Sequence, residues 1–269
     1  MTTQSPPLAR HISVHSTEQI STHLQRIRFK SEDFTGYAKC DGGAHIKLFF
    51  PNPDQQAPDL PFRNSLGKIT WPNGKKPITR TYTVRDFDEE QQLLVIDFVR
   101  HEDFGIAADW AKHASPGDLL GLAGPGGPAR FKIDAEYWIF VGDLSAIPMI
   151  AASLEQLPKD AHGEVWIEIE DDSDQIHLNK PEHIKLHWCK GTHELNNNIR
   201  HSLQNLDWKN KDISVSLAGE NSTVVELRKI LRQNFQLPKS NLYAVPYWKQ
   251  GHNEEAYHEE RHQVMDAVE

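Results

Sequence analysis

The chain has 269 residues, enough for two domains of ordinary size, and its 38% hydrophobic and 25% charged content is that of a globular protein, which excludes disordered and fibrous classes. Lys and Arg number 29 against 38 Asp and Glu, a net charge of −9 that repels a phosphodiester backbone and argues against nucleic acid as a partner. The two cysteines, Cys40 and Cys189, form no CxxC pair, so a redox centre would have to be an organic cofactor or a His/carboxylate metal and not an iron–sulfur cluster.

Residues 1–10 carry no apolar signal-peptide core, and no run approaches the roughly 20 apolar residues of a membrane span, so a cytoplasmic protein without membrane insertion is expected. From Ile12 to about Leu122 short strands alternate with turn clusters, among them His45–Phe50 and Leu93–Arg100. The proline-rich stretch Pro51–Thr79 reads as a long ordered loop or insertion. Lys47 alternates with Ile46 and Leu48, so it leaves its strand on the face opposite those two side chains.

Arg80-Thr81-Tyr82-Thr83, at the expected end of a strand, combines a cation for a phosphate, a flat aromatic face and hydroxyls that could meet a ring nitrogen. Taken alone, such a tetrapeptide is usually just a half-exposed strand. Asp97-Phe98-Val99-Arg100-His101 leads to Gly105-Ile106-Ala107-Ala108-Asp109-Trp110, where small residues opening a helix would let a pyrophosphate approach the backbone N–H groups.

Gly124-Pro125-Gly126-Gly127-Pro128 is the strongest punctuation in the chain, and beyond it the texture changes. Tyr137–Val141, Val165–Glu170, Ile184–Trp188 and Ile213–Ala218 read as strands, and Ala146–Leu157, Thr192–Leu206 and Ser222–Phe235 as helices. Such alternation predicts a parallel sheet that binds a nucleotide at the carboxyl ends of its strands. The acidic run Glu170-Asp171-Asp172, with Asp174 after it, would suit a free ribose 2′-hydroxyl and repel a 2′-phosphate, a slight lean to NADH.

Residues 254–268 predict a short amphipathic helix with Tyr257, Val264, Met265 and Val268 on one face. Arg261 falls inside that apolar arc and His258 at its edge, and with Lys47 they make a candidate basic cluster for an anionic ligand. His258-Glu259-Glu260-Arg261-His262 also matches the H-E-x-x-H zinc signature, but only seven residues follow, short of a downstream third ligand. The i,i+4 pairs His11/His15 and His183/His187 read as surface histidines, and no metal site is expected.

The expected architecture is an α+β two-domain protein. An N-terminal antiparallel β-barrel spans residues 1–132, an α/β parallel-sheet domain 133–246, and a tail with a C-terminal helix 247–269.

The ordered set of motifs resembles the siderophore-interacting proteins, flavoproteins of the ferredoxin–NADP reductase-like superfamily. The set comprises residues 80–83, 97–101 and 105–110 with the following Pro116-Gly117-Asp118, then Val141-Gly142-Asp143, Ala218-Gly219-Glu220 and Tyr247-Trp248-Lys249. The resemblance implies FAD held between barrel and nucleotide domain. Arg80 would meet its phosphates, Tyr82 would stack on the isoalloxazine, and Thr83, with Thr81 beside it, would lie near flavin N5. Val99 and His101, with Asp97, would line the outer site, and Gly105, Ala107 and Ala108 the pyrophosphate. Asp143, Ser145, Ala146, Gly219 and Glu220 would form the nicotinamide side, with Tyr247 and Trp248 near the ring. Where the family usually carries an acidic residue and a threonine after Gly142-Asp143, this chain reads Leu144-Ser145.

The activity so implied is NAD(P)H-dependent reduction of siderophore-bound Fe(III), with Lys47, His258 and Arg261 holding the ferric siderophore. A flavoreductase serving another acceptor and a non-catalytic siderophore carrier stand as alternatives. A protein electron donor is left open as a further partner.

Overall fold

The computed structural model describes residues 8–38, 41–100, 105–252 and Tyr257. The chain divides into two compact units, Met1–Pro128 and Ala129–Glu269.

In the first unit β1 (Arg10–Gln19), β2 (Leu24–Lys30), β3 (His45–Phe50), β4 (Phe62–Arg63), β5 (Ile69–Thr70), β6 (Ile78–Thr83), β7 (Asp86–Asp88) and β8 (Leu93–Val99) precede α1 (Ile106–His113) and β9 (Leu119–Gly126). Seven of these strands make one antiparallel sheet in the order β6-β3-β9-β1-β2-β8-β7. Alternation sends Ile12, Ile27, Phe29, Ile46, Leu48, Leu94, Ile96, Phe98, Leu120 and Leu122 into a common core. Tyr82 of β6 packs on Phe98 of β8 with ring centroids 4.4 Å apart, so the sheet curls round until strands five places apart in the order touch. β4 and β5 form a separate hairpin inside the stretch expected to be loop.

The second unit holds β10 (Tyr137–Gly142), α2 (Ile147–Leu154), β11 (Gly163–Ile169), β12 (Ile184–Lys190), α3 (Gly191–Gln204), β13 (Ile213–Glu220), α4 (Asn221–Gln233) and β14 (Leu242–Trp248). Its five strands are all parallel, in the order β12-β11-β10-β13-β14. Trp138–Val141 of β10 are buried without a break, as a strand covered on both faces requires. Leu195, Ile199 and Leu203 of α3 and Val224, Leu227 and Leu231 of α4 repeat at helical spacing and share a core with Ile139, Val141, Val215 and Leu217.

Helix α2 is shorter than the expected Ala146–Leu157: Ala146 is its N-cap, and Pro148 sits in the first turn, where a missing N–H costs nothing. Strand β14 was absent from the sequence expectation. Tyr247 and Trp248 close a strand and do not open a tail. Pro246 lies within it, and β14 is the sheet's edge, where a missing donor is tolerated.

Candidate functional site

The antiparallel unit gathers part of the site along β6, the edge strand. Its register with β3 pairs Tyr82 with Ile46, Arg80 with Leu48, Thr81 with Lys47 and Thr83 with His45. Arg80 and Tyr82 therefore share the face of the core, while Thr81, Thr83 and Lys47 occupy the other. A ligand lying along an edge strand meets side chains from both faces, so this split is compatible with one binding line. Tyr82 is half-buried against Phe98, which in turn lies 6.1 Å from Trp110 of α1. Arg80 donates to the Thr79 carbonyl, Thr83 is buried, and Lys47 Nζ donates to Thr81 Oγ1.

The first turn of α1 presents the second feature. Its N-cap, Gly105, has no side chain to accept from the helix's first N–H groups, and the buried Ala107 and Ala108 add little bulk beside them. An uncapped helix start with small residues suits a pyrophosphate, and the half-buried Tyr82 ring suits a flat aromatic ring system. These residues fit a flavin dinucleotide.

Asp97, Val99 and His101 are the residues expected along the outer part of the flavin site. Asp97 faces away from Phe98. Its fully buried carboxylate takes two hydrogen bonds from its cross-strand partner Arg26, at 2.7 and 2.8 Å, so it ties β2 to β8 and does not face the Tyr82 side. Val99 ends β8 half-buried, and His101 lies outside the described residues. Phe98 and Trp110, the aromatic support of Tyr82, were not named as site residues. Their signal was the alternation that puts Phe98, and not Asp97, on the face of Tyr82.

In the parallel unit the strand order reverses between β10 and β13, and in open parallel sheets that switch point is where ligands bind, outside the carboxyl ends. Gly142-Asp143 ends β10 and Gly219-Glu220 ends β13, so both motifs arrive there. Asp143 is the hub. Its Oδ1 accepts from Ser145 N at 2.8 Å and Ser145 Oγ at 2.5 Å, and its Oδ2 accepts from Glu220 N and Trp248 Nε1, both at 2.8 Å.

An ionised carboxylate offers about four lone-pair sites, and four protein donors occupy them. Asp143 thus positions Ser145, Glu220 and Trp248. Gly219 has φ +124°, and a Cβ there would stand 2.5 Å from Asp143 Oδ2, so only glycine permits the approach. Glu220 caps α4, accepting from Ser222 N and Thr223 N. Ala146 is buried, and Trp248 keeps 42% of its surface exposed beside Asp143.

Burial pushes the Asp143 carboxyl above the ordinary carboxylate range, against the pull of its Ser145, Trp248 and Glu220 donors. Burial also raises Glu168, which accepts from Thr192, and the charges of Asp143, Glu220 and Glu170 push it the same way. The strand ends therefore form a carboxylate-rich surface. In the acidic run, Asp171 caps a short turn by accepting from Ser173 N, Asp172 pairs with Lys190 at 2.6 Å, and Asp174 is buried.

The histidine pairs serve other ends. His187 stacks on Trp166 at 3.9 Å, His183 on His162 at 4.5 Å, and His11 hydrogen-bonds the Pro58 carbonyl. Tyr257 is buried, its hydroxyl donating to Asn221 Oδ1 at the start of α4. His258, Arg261 and the H-E-x-x-H match lie outside the described residues.

A curled antiparallel sheet with an aromatic edge, followed by a parallel sheet with its loops at the switch point, makes up an FAD-binding protein of two units. Within that class the chain belongs to the siderophore-interacting proteins. Residues 13–129 match the siderophore-interacting FAD-binding domain, and residues 135–251 match the siderophore-interacting protein family.

The chain is 40% identical to the ferric vibriobactin reductase ViuB of Vibrio cholerae, over 92% of each chain. It is 31% identical to an NADPH-dependent ferric-chelate reductase of Escherichia coli, over 89% of this chain and 92% of that one. The crystal structure of the siderophore-interacting protein SipS of Aeromonas hydrophila superposes with a TM-score of 0.81 at 34% identity, covering 97% of this chain and all of that one.

Proposed function

We propose that this protein is a ferric-siderophore reductase, taking two electrons from a nicotinamide nucleotide and delivering them singly to iron(III) in a siderophore, which then loses iron(II) for assimilation. The observation that carries this reading is the 40% identity, along nearly the whole chain, to a protein named as a ferric vibriobactin reductase. A nicotinamide releases its electrons as a pair whereas ferric iron takes one, and bound FAD supplies the chemistry that converts between the two. Reduced iron is held less tightly by hard oxygen ligands, so the reduced complex gives up its metal.

Each part of the chain has an assigned task. Residues 1–132 bind FAD: Tyr82 holds the ring, Thr83 and Thr81 offer hydroxyls, Arg80 offers a cation to the phosphates, and the start of α1 at Gly105, Ala107 and Ala108 offers N–H groups. Residues 133–246 bind the nucleotide. There Asp143 fixes Glu220 and the Trp248 indole, and Gly219 keeps the backbone close, so the nicotinamide meets a preset surface. Lys47, His258 and Arg261 capture the ferric complex, whose negative charge the −9 protein would otherwise repel.

The donor is NADH on this reading. Glu168 and Glu170 extend the carboxylate surface at the end of β11, and Asp172 neutralises Lys190 nearby. NADPH is the second reading, favoured by the relative named as NADPH-dependent. Steady-state turnover of ferric hydroxamate, catecholate and carboxylate complexes, with a ferrous chelator as reporter, tests the proposal. It predicts turnover of at least one class with the higher kcat/KM for NADH. A flavin-loaded enzyme that oxidises NADH yet reduces none of them would overturn the substrate assignment, and a clear NADPH preference would overturn the nucleotide assignment alone.

A further inference from the structure

The segment from Pro61 to Pro77 differs in charge from the rest of the chain. It holds Arg63, Lys68, Lys75 and Lys76 and no acidic residue, in a protein of net charge −9. Within it, β4 and β5 pair Phe62 with Thr70 and Arg63 with Ile69. Residues directly opposite each other share a face, so Phe62 and Ile69 project from opposite faces of the hairpin.

All its large apolar groups are open to solvent. Phe62 is 48% exposed, Ile69 54% and Leu66, in the turn, 79%. The turn is firmly built: Asn64 Oδ1 accepts from Leu66 N and Lys68 N at 3.0 Å, Gly67 N donates to the Asn64 carbonyl, and Arg63 Nη1 donates to the Gly67 carbonyl. At the base, Trp71 packs edge-on against Phe49 of β3, ring centroids 5.1 Å apart. The hairpin is thus an anchored finger with an apolar tip and basic flanks.

A protein partner docked on one face of this finger would leave the other face's apolar side chain in water. A lipid surface entered tip first covers Leu66, Phe62 and Ile69 together. The distance from Phe62 to the start of the turn at Asn64, about 7 Å at the usual strand rise, falls within the 5–10 Å depth of interfacial segments. The long side chains of Arg63 and Lys68 beside the tip, and of Lys75 and Lys76 beyond β5, can reach back to the headgroups, where anionic lipid attracts them.

We propose that this hairpin docks the protein peripherally onto an anionic lipid surface. Among the described residues no helix is long and apolar enough to cross a membrane, so the contact is of the surface kind. The proposal is independent of the reductase reading.

Flotation of the full chain with vesicles tests it, using phosphatidylcholine alone and an equimolar mixture with phosphatidylglycerol. The protein is expected to float with the mixed vesicles and not the neutral ones, and to be released as salt rises. At about 5-fold per cation, Lys68→Ala with Lys76→Ala should weaken binding about 25-fold. Leu66→Ser should weaken it separately, and both variants should melt as the wild type does because the altered side chains are exposed. Absence of flotation with mixed vesicles, equal flotation with neutral ones, or flotation unchanged in both variants would overturn the proposal. So would an acidic protein that binds the finger while vesicles do not.

Discussion

Replacing Asp143 by Asn keeps the shape of the hub and removes its charge and half of its acceptor capacity. The carboxylate takes two donors on each oxygen. An amide can satisfy only one of these pairs, because whichever way it turns its NH2 group faces donors. Two charge-assisted bonds are lost and two donor–donor contacts are created. A charge-assisted bond is worth about 1.5–3 kcal/mol, discounted here because Trp248 is partly exposed, so the loss should be about 2–3 kcal/mol. For a unit of this size that corresponds to a fall in Tm of roughly 6–9 °C.

Calorimetry of the full chain reads the stability, and a double-mutant cycle with Trp248→Phe isolates the Asp143–Trp248 term, expected at about 1 kcal/mol. The KM for the nicotinamide nucleotide should rise as Trp248 and Glu220 lose their anchor. An Asp143→Asn protein that melts within about 1 °C of the wild type, with no coupling to Trp248, would show that the hub does not hold the switch-point loops.

Further outcomes are expected elsewhere in the chain. Arg26→Ala would leave the buried Asp97 carboxylate uncompensated and should destabilise the first unit by about 3 kcal/mol in urea titration, whereas a loss below about 1 kcal/mol would mean that water replaces the guanidinium. Tyr82→Ala should weaken flavin binding by roughly 5–10-fold, with Tyr82→Phe close to wild type, and equal occupancy in all three proteins would return Tyr82 to a plain strand residue. Hydrogen bonds from Lys132 and then Asn241 hold Asp212 below its ordinary carboxyl value of 3.8. Its stabilising contribution is therefore present above pH 3.8 and lost as pH falls through the lower folded-state value. Asp212→Asn should flatten that part of the stability profile, and an unaltered acid limb would discount the Lys132–Asp212 pair.

Most of the architecture was legible because burial leaves a periodic trace. His45–Leu48 alternates and two buried phenylalanines carry the run to the end of β3, while Leu195, Ile199 and Leu203 mark α3 by spacing alone. Strand β14 escaped notice because Pro246 reads as a breaker, and only its place at the sheet edge makes that proline acceptable. The hairpin in Pro51–Thr79 was hidden because its strands are two residues each and their apolar side chains face water.

Of the candidate site, the second-unit residues were legible as short Gly–acid pairs ending strands. The hydrogen bonds that join them were not, since Asp143 and Trp248 are 105 positions apart and only the fold brings them together. Asp97 lies on the face opposite Tyr82 for a local reason. It stands next to Phe98 in sequence, and period two sends neighbours to opposite faces.

The central claim is that electrons pass from a nicotinamide nucleotide through flavin to siderophore-bound iron. Its most direct test is an anaerobic two-step titration of the purified holoprotein. One equivalent of NADH should bleach the yellow flavin absorbance. A ferric siderophore added next should restore it while a ferrous chelator reports about two iron(II) per nucleotide consumed, as electron balance requires. A flavin that bleaches with NADH and stays reduced in the presence of every ferric siderophore class would contradict the account, as would a protein that binds no flavin.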